Sequence, residues 1–161
     1  MIIRKGKSFL SGVHPIYTAV FALVVCIQLS AVSAAGEGRA PTYNEYDFSE
    51  LIPAENREKI QNAIPQSSTV PAPEKRKLLV VTTNIWDGKE RRGHPSIPLG
   101  NYAIQLMGEK TGAYETVFCN DSLIFQKEYL SQFDAICFNN TVGVLFGDPH
   151  LRQNLLDFIY G

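Results

Sequence analysis

Leu78-Leu79-Val80-Val81-Thr82-Thr83 is the stretch that decides the fold. It shows no alternation of apolar and polar side chains, so the strand it forms is covered on both faces, as in a parallel sheet flanked by helices. Downstream, Asn84 to His94 reads as a polar loop. From about Ser96 to Thr111 the residues Leu99, Ala103, Leu106 and Met107 share one helical face, and Gly112 suits the C-terminal cap. Tyr114 to Cys119 reads as a second strand and Phe125 to Phe133 as a short helix. Ala135-Ile136-Cys137-Phe138 repeats the buried-strand signature. Asp148 and Pro149 then form an N-cap and first-turn pair for a last helix striped by Leu151, Leu155, Phe158 and Ile159. Strand, helix, strand, helix, strand, helix, joined by right-handed crossovers, predicts an α/β protein. The expected architecture is a flavodoxin-like, doubly wound parallel sheet, truncated after about three strands.

Upstream of this core the chain has two other characters. Residues 1–35 read as a signal peptide: Arg4, Lys5 and Lys7 form a basic start, Ile16 to Leu29 is apolar, and Val32-Ser33-Ala34 offers small residues for cleavage near Ala34. An exported, periplasmic or secreted protein is expected, with an uncleaved membrane anchor as the alternative. Residues 36–76 form a Pro-rich linker. Within it Pro53 can start a short helix with Ile60, Ala63 and Ile64 on one face, and Pro65 stops it; the helix either packs on the following domain or belongs to a free arm. The α/β domain occupies 77–161.

With 161 residues, 45% apolar and 19% charged, and a net charge of −1, the composition is that of one globular domain. No basic excess marks a nucleic-acid partner, and membrane contact is expected only through the N-terminal segment. After cleavage only Cys119 and Cys137 remain, read as small buried hydrophobes in strands.

Chemistry is expected where the strands end. His94-Pro95-Ser96-Ile97-Pro98 lies between the first strand and the helix start, a place where helix N-termini offer free N–H groups to ligands. If the first and third strands are neighbours, Thr82-Thr83-Asn84 and Asn139-Asn140-Thr141 converge at their carboxyl ends. Thr83, Asn84, Asn140 and Thr141 are the candidate binding residues for a hydroxyl-rich ligand, and His94 is the candidate proton-transfer group. Each also has a plainer reading: Asn and Thr cap helices and stabilise loops, and His94 can pin its own loop. Trp86 can be a stacking platform or a lid, and Arg91 and Arg92 can attract an anion or simply be solvated. Asp87 with His94 supplies two metal ligands, and two without a third make no metal site. No cofactor is indicated. A nucleophile elbow, a Walker-type phosphate loop and a dinucleotide fingerprint are all missing, which disfavours hydride transfer and nucleotide hydrolysis.

Lys77-Leu78-Leu79-Val80-Val81, His94-Pro95-Ser96-Ile97-Pro98, Gly108-Glu109-Lys110-Thr111-Gly112, Phe133-Asp134-Ala135-Ile136 and Asn139-Asn140-Thr141-Val142-Gly143 occur in this order. Together they resemble a ThuA-like (trehalose utilisation) domain over about Arg76 to Gly161. The resemblance implies a flavodoxin-like fold related to class I glutamine amidotransferases, generally without their catalytic cysteine, and a role in the use of a small carbohydrate, a disaccharide or keto-sugar. It also implies that only the N-terminal portion of the domain is present here. Members of the family continue past the position of Gly161 into a glycine-rich turn and a strand bearing a further histidine. Alternatives from other classes are a non-catalytic sugar-binding module and an amidotransferase-like hydrolase whose catalytic residues lie further on.

Overall fold

A computed structural model describes residues 2–4, 39–70, 74, 76–145 and 147–161. Most of the expected signal peptide, with Cys26 and the cleavage point near Ala34, lies outside the described residues. In chain order the elements are β1 (Ile2–Arg4), α1 (Phe48–Leu51), α2 (Ala54–Ala63), β2 (Lys77–Val81), β3 (Asn84–Trp86) and β4 (Lys89–Glu90). They continue as α3 (Ile97–Thr111), β5 (Glu115–Phe118), a 3-10 turn (Ser122–Phe125), α4 (Lys127–Leu130), β6 (Ala135–Phe138), β7 (Val142–Gly143) and α5 (Pro149–Tyr160). No helix among the described residues is long and apolar enough to cross a membrane.

The protein is α/β, with a three-stranded parallel sheet flanked by helices. Its central strand is β2, paired in parallel with β5 on one side and β6 on the other. Ile2–Arg4 adds a fourth strand, unexpected from the sequence, running antiparallel along β6. Leu78 and Val80 face a cluster with Phe48, Ile52, Phe118 and Cys137, onto which Leu99, Tyr102 and Ile104 of α3 pack. Leu79 and Val81 face the opposite cluster, with Ile124, Phe125, Leu130, Phe133, Ile136, Leu151 and Phe158. The missing alternation in β2 therefore has its cause: Leu79 and Val80 are both 0% exposed, on opposite faces. Burying each such side chain contributes roughly 1.5–3 kcal/mol.

The Pro-rich arm is anchored to this core. Asn44 N–H donates to Phe118 C=O at 2.9 Å, and the rings of Tyr46 and Phe118 meet edge to face with centroids 5.1 Å apart. Phe48 and Ile52 are buried against β2, although nothing marked them as core in a linker rich in proline. The Asp121 carboxylate ties down the arm's start, accepting from Thr42 N–H at 3.0 Å and pairing with the Arg39 guanidinium at 2.7 Å. Helix α2 begins after Pro53 as expected and lies against α3, with Gln61 Nε2 donating to the Tyr102 hydroxyl at 2.7 Å.

Two segments differ from the expectation. The helix expected over Phe125 to Phe133 is split into the 3-10 turn, capped by Asp121, and the single turn α4. The polar loop from Asn84 contains a hairpin, β3 against β4, turned by Asp87 and Gly88 at φ values of 52° and 69°. Two consecutive left-handed residues are what a tight two-residue hairpin with right-handed twist requires, and Asp-Gly satisfies them at small cost.

Candidate functional site

The carboxyl ends of β2 and β6 lie side by side, and the helices that follow them leave in opposite directions. Helix α3 covers the face of Leu78 and Val80, whereas α5 covers the face of Leu79 and Val81. In an open α/β sheet this reversal leaves a crevice beyond the strand ends, where ligands bind.

Here paired backbone takes up the space directly beyond the strand ends. Beyond β2 and β6 the two chain segments stay paired, Asn139 N–H donating to Val81 C=O at 2.9 Å and Val142 N–H to Thr83 C=O at 3.3 Å. They continue as β3 and β7, which run parallel with Asn84 opposite Val142 and Ile85 opposite Gly143. Gly143 is obligatory: its φ is 87°, and a Cβ there would lie 1.7 Å from the Ile85 carbonyl oxygen.

The expected site residues divide into two layers. Thr83 and Asn84 are buried at 6% exposure each; the Thr83 hydroxyl reaches Asn120 C=O at 3.5 Å and the Asn84 amide donates to Thr82 C=O at 2.9 Å. The Thr141 hydroxyl, half-buried, donates to Val81 C=O at 3.0 Å. Thr83 and Thr141 link neighbouring strand ends, and Asn84 braces the end of its own strand. Above them His94 and Asn140 are exposed and are joined through a residue the sequence reading did not single out. The Ser96 hydroxyl lies 2.7 Å from His94 Nδ1 and 3.0 Å from Asn140 Nδ2, and Ser96 N–H donates to the same Nδ1 at 3.2 Å.

That network orders the proton positions. A backbone N–H can only donate, so Nδ1 acts as an acceptor and the ring proton resides on Nε2. The Asn140 amide donates to Ser96 Oγ, leaving the hydroxyl hydrogen free to point at Nδ1. Asn140 itself sits at φ 52°, a left-handed conformation asparagine tolerates better than most residues, directly after the strand end.

Two further residues extend the network inward. Asn139 Nδ2 donates to Asn101 Oδ1 at 2.8 Å and to Ile97 C=O at 3.2 Å, fixing the first turn of α3 to the end of β6. Asn101 is 0% exposed. A polar residue one turn after Ile97, inside an apolar helix, was the available signal. The close fit at this junction explains Gly100 and Gly93, where a Cβ would come within 2.8 Å of the Asn139 amide and 2.6 Å of the Asn84 amide.

The remaining candidates lie apart. Asp87 is taken up in the hairpin turn, and among the described residues no three His, Cys, Asp or Glu side chains gather to hold a metal. Trp86 is 55% exposed on β3, and His150 is exposed in the first turn of α5. Cys119 and Cys137 are free and buried on opposite faces of the sheet, and burial pushes both thiols above their ordinary pKa. Neither is an activated nucleophile. No family model, curated protein or solved structure matches this chain.

Proposed function

We propose that this chain carries an exported ThuA-like domain of flavodoxin-like, doubly wound architecture, acting in the use of a small carbohydrate. The architecture is supported by the order of the parallel strands, second, first, third along the chain, and by the opposite exits of α3 and α5. The functional reading rests on one observation, the chain of hydrogen bonds from Asn140 through Ser96 to His94 at the switch point. With Nδ1 occupied, His94 offers Nε2–H to a hydroxyl or keto oxygen of a bound sugar. Through that N–H it can polarise a carbonyl by hydrogen bonding, and the Asn140 carboxamide orients the ring. Thr83, Asn84 and Thr141 brace the strand ends beneath the ligand.

The test is calorimetry of the chain with a panel of disaccharides and their keto derivatives, followed by mass analysis of the recovered ligand. Binding lost in His94→Gln, with the ligand chemically altered, supports catalysis. Binding lost in the same variant with an unaltered ligand identifies a sugar-binding module, a reading favoured by the lack of any carboxylate bonded to His94 among the described residues. No binding by the wild-type chain refutes both.

A further inference from the structure

A second surface, away from the strand-end site, carries its own chemistry. Strand β5 is the outer strand of the sheet, paired only with β2. Glu115 N–H and Cys119 N–H donate toward β2, to Arg76 and Val80 carbonyls, so by strand alternation the backbone groups of Thr116 and Phe118 point outward. The arm uses one of them, Phe118 C=O, through Asn44 N–H, and then turns away at Tyr46 toward α1. Thr116 N–H, Thr116 C=O and Phe118 N–H are left facing a groove of about 520 Å³ between the arm, the C-terminal half of α3 and the strand edge.

The groove is charged with one sign. Glu45, Glu109 and Glu115 line it, all exposed, with no basic residue among the lining side chains. None of the three forms an ion pair among the described residues, and Glu109 only accepts from Gln105 at 2.7 Å. They do not gather into a metal-binding group. Carboxylates spread along an open strand edge repel a second copy of the same edge, the usual protection against self-association, and attract an extended chain bearing separated cations.

We propose that this edge binds an extended basic peptide segment, which adds as a strand beside Thr116 where the arm leaves off and sets its lysine or arginine side chains against Glu45, Glu109 and Glu115. The backbone supplies pairing and the acidic walls select charge. A single cation or an acidic strand satisfies only one of these features.

The probe is a fluorescently labelled, capped Lys-Val-Lys-Val-Lys peptide, titrated into the 161-residue chain at low salt and monitored by anisotropy. Saturable binding is expected, weakened about tenfold when both valines are replaced by proline, which keeps the three cations but removes two backbone N–H groups and the fit to the strand. Glu45→Gln, Glu109→Gln and Glu115→Gln together, all at exposed positions, are expected to abolish it, whereas His94→Gln leaves it unchanged. No binding of the lysine peptide overturns the proposal. So does equal binding of its all-glutamate counterpart or of the proline peptide, the latter reducing the groove to a patch of non-directional charge.

Discussion

His94 and Asn140, on segments 46 residues apart, share the hydroxyl of Ser96, which lies 2.7 Å from the imidazole and 3.0 Å from the carboxamide. The loop before α3 is thereby latched to the end of β6. Because Ser96 N–H also donates to Nδ1, one face of the ring is committed to structure and the other is left for solvent or ligand.

Nitrogen-15 spectra of the histidine side chains read this commitment directly. At a pH where the ring is neutral, His94 is expected as the Nε2–H tautomer with Nδ1 unprotonated. Ser96→Ala should leave the fold intact, because an exposed hydrogen bond contributes only about 0.5–1.5 kcal/mol, but it should shift the His94 and Asn140 side-chain resonances together. A proton found on Nδ1 would contradict the latch.

Gly143 and Gly88 both have positive φ, yet only one of them is sterically enclosed. A Cβ at Gly88 meets nothing within 4 Å, whereas at Gly143 it would strike the Ile85 carbonyl oxygen. Gly88→Ala should cost about 1 kcal/mol from backbone strain alone. Gly143→Ala should cost clearly more, on the order of 2–4 kcal/mol, because β7 must also move away from β3. Urea denaturation of the two variants side by side checks the order; equal losses would mean that the β3 and β7 pairing contributes little.

The layered core was legible because burial on both faces leaves a sequence signature: β2 and β6 are continuous apolar runs, and α5 announces itself through Asp148, Pro149 and its stripe. Their side-by-side placement, and with it the meeting of the two polar strand ends, followed from topology. What stayed hidden was carried by single residues in polar surroundings. Phe48 and Ile52 anchor the arm but stand among prolines and acids, where no periodicity exists to mark them. Ser96 and Asn139 connect the candidate site through contacts 44 and 38 residues distant in sequence, which spacing along one element cannot encode. Asp87-Gly88 was a readable hairpin signal that the surrounding polarity obscured.

Phe48 tests whether the arm is structural. It is 7% exposed, stacks on Tyr46 and tilts against Tyr102 of α3. Phe48→Ala should therefore cost about 3 kcal/mol, the range for truncating a buried phenylalanine, and should make the 39–52 segment sensitive to protease under native conditions. An unchanged unfolding midpoint would return the arm to the status of a linker.

Asp121 makes the same junction dependent on pH. Burial alone would raise its carboxyl, but N–H donors from Thr42 and Leu123 and the Arg39 guanidinium outweigh that effect and hold it below the ordinary value of 3.8. A carboxylate depressed in the folded state contributes stability that is fully present above its unfolded pKa and is lost as pH falls through the folded one. Asp121→Asn keeps a helix-capping shape but not the charge, so it should cost about 1 kcal/mol at pH 7. The gap between variant and wild type should persist down to about pH 4 and close below it, where the wild-type carboxyl itself takes up a proton. Thermal melts of both proteins between pH 7 and pH 2 measure that gap directly. If it instead held constant through the acid range, Asp121 would act at this junction through shape alone, and the pairing with Arg39 would contribute nothing to holding the arm.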